Sequence, residues 1–425
     1  MSYFALIRRE YPLLSFGFLL TLLSGFGQTF FISLYGAEIR GAFDLGNADF
    51  GLVYAIASTL NAVVLMWVGK FVDDIDLRLY TALALLGLAA GCLLMWSAAG
   101  VFALGAGFFL LRLCGQGLMP HISSTAIIRY VEDGRAKALS LSSMGHKMSE
   151  ILFPAMAVFV LLFAPWRESW LVYVALIVFI MIPLMLLLLR GHGGRHDNML
   201  RETERKAQDA ASDPLKAKAA KRRQWSRAEV LKDTRFYLVI PGLIVPAFVG
   251  TMVFFHQSVL IEHKGWTKEW FALMFTPFAL AGVAGAFFGA PLVDRFGALK
   301  VLPWMAAPFV VGLALLASID HPAAAFLYMS LAGISSGGLM LAVSGPLWAE
   351  SYGVQHIGSI RAFMHSVVLL STAVAPPLAG WFLDADVHFN TIAWGCMVYS
   401  LVSSILLAVA AKRFARPGWA DLLPA

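Results

Sequence analysis

The 425-residue chain is poor in charge and in cysteine, and it lacks the motifs that mark soluble enzymes. Only 14% of its residues are Asp, Glu, Lys or Arg, while 59% are hydrophobic. Soluble domains carry roughly 25% charge, so a water-soluble fold is excluded and a bilayer is the implied solvent. The three cysteines, Cys92, Cys114 and Cys396, lie in apolar runs with no second Cys or His at metal-ligand spacing. Disulfide scaffolds and metal sites are thereby excluded. No G-x-x-x-x-G-K-S/T loop occurs, so the chain does not itself hydrolyse ATP; no Ser/His/Asp arrangement suggests an enzyme, and nothing calls for a cofactor. Arg8 and Arg9 precede an apolar run that continues past Phe31 without a small-residue cleavage site. That run reads as a retained membrane helix rather than a removed leader.

The formal charge is +6. Residues 190–235 hold 13 Lys/Arg and 7 Asp/Glu, so this one stretch accounts for the whole excess. A nucleic-acid-binding face is excluded, because the basic residues are confined to one linker. The stretch is poor in aromatics and cannot bury a core. Its end differs, since Ser226 followed by Glu229 forms a capping-box pattern that predicts a short surface helix over 226–234.

A spanning helix needs about 20 mostly apolar residues. Twelve such runs are present, near 12–35, 48–70, 78–98, 101–128, 138–163, 169–189, 236–260, 269–292, 299–318, 322–348, 360–383 and 389–411; they are numbered here as spans 1 to 12. With the N-terminus inside, inner segments hold 26 Lys/Arg and outer loops hold four, Arg40, Arg167, Lys264 and Lys268. That bias predicts a multi-pass protein of a bacterial cytoplasmic (inner) membrane with both termini and the linker in the cytoplasm. Four short patterns recur in order. Asn47-Ala48-Asp49-Phe50 returns as Thr267-Lys268-Glu269-Trp270, Gly117-Leu118-Met119 as Gly338-Leu339-Met340, Phe30-Phe31 as Phe254-Phe255, and the turn at Gly134 to Ala138 as Gly358 to Ala362. The similar offsets argue for an all-α membrane protein of two parallel six-helix repeats, 1–189 and 236–425, joined by the basic linker 190–235.

The loop after span 2, from Gly69 through Asp73 to Arg78, resembles the loop signature of the major facilitator superfamily (MFS), a Gly, an Asp four later and a basic residue five beyond that. The loop after span 8 resembles its Leu-x-Asp-Arg-x-Gly core more closely, with Asp294, Arg295, Gly297 and Lys300. Asp74, Asp76 and Ala290 depart from the pattern. Arg135 after span 4, and Arg112 with Gly115 and Gly117 within it, also look like this family, and the resemblance covers nearly the whole chain. It implies the twelve-helix MFS fold, transport by alternating access, and gating at Gly69, Asp73, Arg78, Asp294, Arg295, Gly297, Lys300 and Arg135. That Asp73 and Asp294 merely cap turns stays open.

Ionisable groups inside hydrocarbon are costly and mark either function or a static structural pair, here Arg112 with Glu150. On helical wheels His146, Lys147 and Glu150 share one arc of span 5, and Arg112, Gln116 and Ser123 share a face of span 4, with His121 pointing away. Gln28 and Tyr35 share a face of span 1, and His256 and Gln257 follow the helix breakers Pro241, Pro246 and Gly250 of span 7, which suit a flexing or discontinuous helix. Two cations against one carboxylate within the spans favour an anion, so the expected substrate is a small organic anion such as a carboxylate. Glu150 or His146 is then the acceptor of a coupled proton. The expected partners are that solute, protons and lipid, and the expected state is a monomer. Two other readings share these features: a proton-driven exporter of drugs or metabolites, and a transporter-like ligand sensor.

Overall fold

The computed structural model describes residues 3–72, 75–131, 134–191, 193, 225–353 and 357–415. These are helices and short connections, and no strand occurs among the described residues. Among the described residues eleven helices are long and apolar enough to cross a bilayer: Asn47–Val72, Leu77–Ser97, Val101–Tyr130, Lys137–Leu161, Trp166–Leu188, Thr234–Phe255, Lys268–Phe296, Ala298–Ser318, Ala323–Tyr352, Phe363–Asp384 and Phe389–Phe414. The twelfth span is span 1, a pair of helices, Tyr3–Gly27 and Thr29–Phe43, bent by 48°. The end of each span that the sequence reading assigns to the side of the linker 190–235 is called the linker side here, and the opposite end the far side.

Two spans differ from what composition implies. Span 1 breaks because Ser24-Gly25-Phe26-Gly27 tightens into an i→i+3 turn and Gln28 then adopts an extended conformation (φ −85°, ψ 150°). Gln28 and Tyr35 therefore do not share one helical face. Span 7, in contrast, runs unbroken through Pro241 and Pro246 from Thr234 to Phe255, and its discontinuity falls at His256 (φ −99°, ψ 26°), before a short helix Gln257–Lys264. Prolines are tolerated in spanning helices where neighbours satisfy the backbone, and here the Tyr399 hydroxyl donates to the Pro241 carbonyl at 3.0 Å. Span 4 widens into i→i+5 turns over Leu111–Leu118, span 10 does so over Ile334–Leu339, and span 6 over Leu176–Met181. Such turns accommodate an extra residue and are frequent at functional sites.

By contact density the chain divides into two compact units. One comprises Met1–Gln28, Leu60–Ser149 and Phe163–Lys221, and the other Thr29–Thr59, Glu150–Leu162 and Arg222–Ala425. Within the first, span 5 presses directly onto span 1: a Cβ on Gly145 would stand 2.0 Å from the Phe18 carbonyl oxygen. Ser123, Ser142 and Thr21 tie spans 4, 5 and 1 together. Ser123 Oγ lies 2.6 Å from Ser142 Oγ and donates to the Gly17 carbonyl at 3.0 Å, while Thr21 donates to the Ser142 carbonyl. Small residues and hydroxyls replace the hydrophobic effect as the adhesive between helices in lipid.

The second unit is anchored at the linker side by the linker's own end. Most of 190–235 lies outside the described residues, but the capping box forms: Ser226 Oγ accepts the Glu229 N–H, and Glu229 accepts the Ser226 N–H at 2.8 Å. The helix that follows is short, Arg227–Val230. Trp225 donates its N–H to the Tyr352 carbonyl at 3.1 Å. Asp233 and Arg235 pair at 2.8 Å with both side chains buried, the Tyr352 hydroxyl donates to Asp233 at 3.0 Å, and the Arg235 guanidinium lies 4.8 Å from the Phe414 ring. At the far side, His388 caps span 12 by accepting the Asn390 N–H, His263 accepts the Phe389 N–H, and the two imidazoles stack at 4.6 Å.

Candidate functional site

In the first unit the break in span 1 meets the widened turn of span 4. A Cβ on Gly27 would lie 2.2 Å from the Leu111 carbonyl oxygen, so only glycine permits this approach. Arg112, fully buried, donates to the Gly27 carbonyl at 3.4 Å, and Gln116 donates to Gln28 Oε1 at 3.3 Å. The structure thus assembles Gln28, Arg112 and Gln116 at a helix discontinuity, the arrangement by which irregular backbone lines polar cavities inside membranes. Gln116 Oε1 is buried without a hydrogen-bond partner among the described residues. Ser123, expected on the same face, is spent on span packing instead, because the widened turn alters the register that an ideal wheel assumes. His146 and Lys147 are half-buried on the same unit's part of span 5, and Glu150, only 4% exposed, opens the part of span 5 that belongs to the second unit.

In the second unit the remaining expected residues lie in a far-side seal. It knits Thr29–Thr59 to spans 7, 8 and 11. Gln257 donates to the Phe30 carbonyl at 3.3 Å and to Ser33 Oγ at 2.7 Å. His256 Nε2 lies 2.8 Å from the Pro376 carbonyl oxygen, which makes Nε2 the protonated nitrogen. Tyr35 is buried edge-on to Phe31, Phe50 stacks on Phe255 at 4.7 Å, and Lys268 pairs with Glu38. Asp384 contributes three polar contacts to the seal, although no pattern singled it out. It accepts the Asn47 and Ala48 backbone N–H groups at 2.9 and 2.8 Å, and Asn47 Nδ2 at 3.0 Å. A carboxylate on the amino end of span 2 satisfies orphan donors and complements the helix dipole. Its only sequence signal is an acid at the far end of a span.

The two loops expected to gate the linker side are held from different partners. Asp73 lies outside the described residues. The Gly69 carbonyl is bonded by His121 Nε2 at 2.9 Å and the Val72 carbonyl by Arg129 at 3.4 Å, so His121, which the wheel points away from Arg112, works on this loop. Asp76 caps span 3 through the Arg78 N–H at 2.8 Å, and the paired Arg78 side chain holds its carboxyl below the usual range. In the second loop Asp294, Arg295 and Lys300 are exposed, Gly297 takes a left-handed φ of +83°, and Glu350 of span 10 accepts the Ala298 N–H at 3.1 Å. Arg129 and Glu350 stand at corresponding places in the two repeats, holding the corresponding loops with opposite charge. Arg135 begins the helix of span 5. Among the described residues no His, Cys, Asp and Glu cluster that could hold a metal is present.

A sequence model of the Major Facilitator Superfamily matches residues 17–273 and again 248–420. No curated protein matches the sequence. Among solved structures, a bacterial homologue of the human lysosomal transporter Spinster, in an inward-facing and occupied conformation, is 16% identical with a TM-score of 0.67, covering 96% of this chain and 96% of that one. The nucleoside transporter NupG is 13% identical with a TM-score of 0.65 over 95% of this chain and all of that one, and the peptide transporter POT 14% identical with 0.65 over 96% and 95%. At these identities the likeness is one of fold.

Proposed function

The chain belongs to the Major Facilitator Superfamily, and from that premise we propose that it carries a small organic anion, a carboxylate foremost, with a proton across the cytoplasmic membrane of a bacterium. Transport proceeds by alternating access, with the six-helix halves 1–189 and 236–425 of a monomer moving about a midplane site and the linker in the cytoplasm. The observation that carries this reading is the fully buried Arg112 at the break of span 1. A cation at that depth costs roughly 2.5–3.5 kcal/mol on insertion scales, so its presence there asks for a purpose, and contact with an anionic substrate is the one proposed. Gln28 and Gln116 supply directional contacts, and Glu150 or His146 takes the proton. The far-side seal is the gate that must open for exchange on that side.

The test is a thermal-shift screen of the purified protein against carboxylates, sugars, amino acids and drugs, since a ligand of the folded state raises its melting temperature. Carboxylates are expected to shift it, and Arg112→Gln to abolish that shift while the unliganded protein still melts cooperatively. Retention of the carboxylate shift in Arg112→Gln overturns the assignment. In proteoliposomes Glu150→Gln is expected to stop accumulation driven by a proton gradient.

A further inference from the structure

The second unit carries a cavity of about 610 Å³ between spans 7, 11 and 12, lined by none of the residues assigned to transport above. Its floor is Met252, Ile392 and Cys396, all buried, with the Cys396 and Met252 sulfurs 3.4 Å apart. Its rim includes Leu378 and Phe382, both exposed. Of its two hydroxyl-bearing residues, Thr391 and Tyr399, the second already donates to the Pro241 carbonyl. The lining is therefore apolar along nearly its full length.

Three observations identify what fills it. The rim is continuous with Trp394, Val398, Val402 and Ile405 of span 12, all exposed. On a spanning helix a continuous apolar face meets hydrocarbon, so the groove opens to lipid rather than water. Its depth also matches. Thr391 to Tyr399 is eight helical steps, about 12 Å, starting near the far-side end of span 12, and one leaflet contributes about half of a ~30 Å hydrocarbon core. The third observation is Gly395. Glycine inside a helix costs about 1 kcal/mol relative to alanine, and at Gly27 or Gly145 that cost is offset by backbone pressed against backbone. A Cβ on Gly395 would meet no atom within 4 Å. Its effect is to leave the groove open.

We propose that this groove binds one acyl chain of a phospholipid from the far-side leaflet. The headgroup then lies at the level of Thr391 and the exposed His388, whose Nδ1 accepts the Asn390 N–H and whose Nε2–H is a donor for phosphate. An aqueous solute is not the occupant, because neither the opening nor the lining offers it partners.

Full-length protein in mild detergent, titrated with palmitoyl-oleoyl phosphatidylglycerol and followed by native mass spectrometry, tests this. One lipid is expected to bind more tightly than the rest. Gly395→Phe fills open space and is expected to weaken that first lipid at least about tenfold with the melting temperature unchanged, whereas Gly395→Ala leaves it in place. Should Gly395→Phe not fold, Thr391→Phe closes the groove at its exposed mouth and is expected to give the same loss. An undiminished first lipid in the folded blocking variant overturns the proposal. So does displacement of that lipid by free palmitate at equal affinity, which would assign the groove to a fatty acid.

Discussion

Asp384→Ala is expected to loosen the far-side seal by an amount that can be worked out from its contacts. The carboxylate accepts two backbone N–H groups and one side-chain N–H at the start of span 2, at 2.8 to 3.0 Å. Losing a capping side chain costs about 0.5–2 kcal/mol, and losing a negative charge at a helix amino end a further ~0.3–1 kcal/mol. Asp384 is exposed, which places the sum near the middle, about 1.5 kcal/mol by the same capping values. At 1.36 kcal/mol per factor of ten, the open-seal population rises about tenfold. Ser258 is a suitable reporter: it is half-buried, and its hydroxyl lies 3.8 Å from where a Cβ on Gly36 would stand. Ser258→Cys, in a background with Cys92, Cys114 and Cys396 replaced by alanine, is labelled by a membrane-impermeant maleimide when the seal opens. The labelling rate in right-side-out vesicles is expected to rise about tenfold with Asp384→Ala, the factor set by that free-energy change, and less with Asp384→Asn, which keeps an acceptor. An unchanged rate in a folded Asp384→Ala protein would show that the seal does not rest on this cap.

Three further outcomes are expected. Asp233→Ala strands the buried Arg235 guanidinium and is expected to cost about 3–5 kcal/mol, whereas Tyr352→Phe removes one hydrogen bond and costs about 0.5–1.5 kcal/mol; denaturation in detergent micelles distinguishes the two. Gly145→Ala pushes a methyl against the Phe18 carbonyl and is expected to destabilise by about 1–3 kcal/mol, while Gly395→Ala leaves the melting temperature unchanged. His263 titrates below the ordinary imidazole value, because of burial first and then the neighbouring His388, with Glu262 opposing. A histidine kept neutral by folding contributes nothing unfavourable above pH 6.5, where both states are neutral. As pH falls below 6.5 the unfolded chain binds the proton first, so stability declines. His263→Gln is expected to flatten that decline, with melting temperature against pH as the readout.

Periodicity disclosed the parts of this fold that depend on the bilayer: the number of spans and the doubled order of motifs. The capping box at Ser226 and Glu229 was legible because its two hydrogen bonds are local. What escaped depends on departures from an ideal helix. Gln28 and Tyr35 fall on one face only if span 1 is straight, and two glycines within four residues break it. Ser123 falls beside Arg112 only if span 4 turns at 100° per residue, and Leu111–Leu118 does not. Proline drew attention to span 7, yet its break lies at His256, where no breaker residue stands. Asp384 and Glu350 are long-range caps whose partners lie far away in the chain, beyond any local pattern.

The widened turns of spans 4 and 10 have a consequence for how such a chain can vary. Each accommodates one residue more than a regular helix of the same rise would hold. That surplus is a matter of chain length, so no substitution removes it, and a library of point variants samples side chains around the turn without touching the turn itself. A single-residue deletion within Leu111–Leu118 or Ile334–Leu339 would straighten either helix while leaving the residues beyond it facing as before, because the widened turn is what absorbs the extra residue. The two repeats therefore hold their irregular geometry in a form that ordinary mutational drift of residue identity leaves intact.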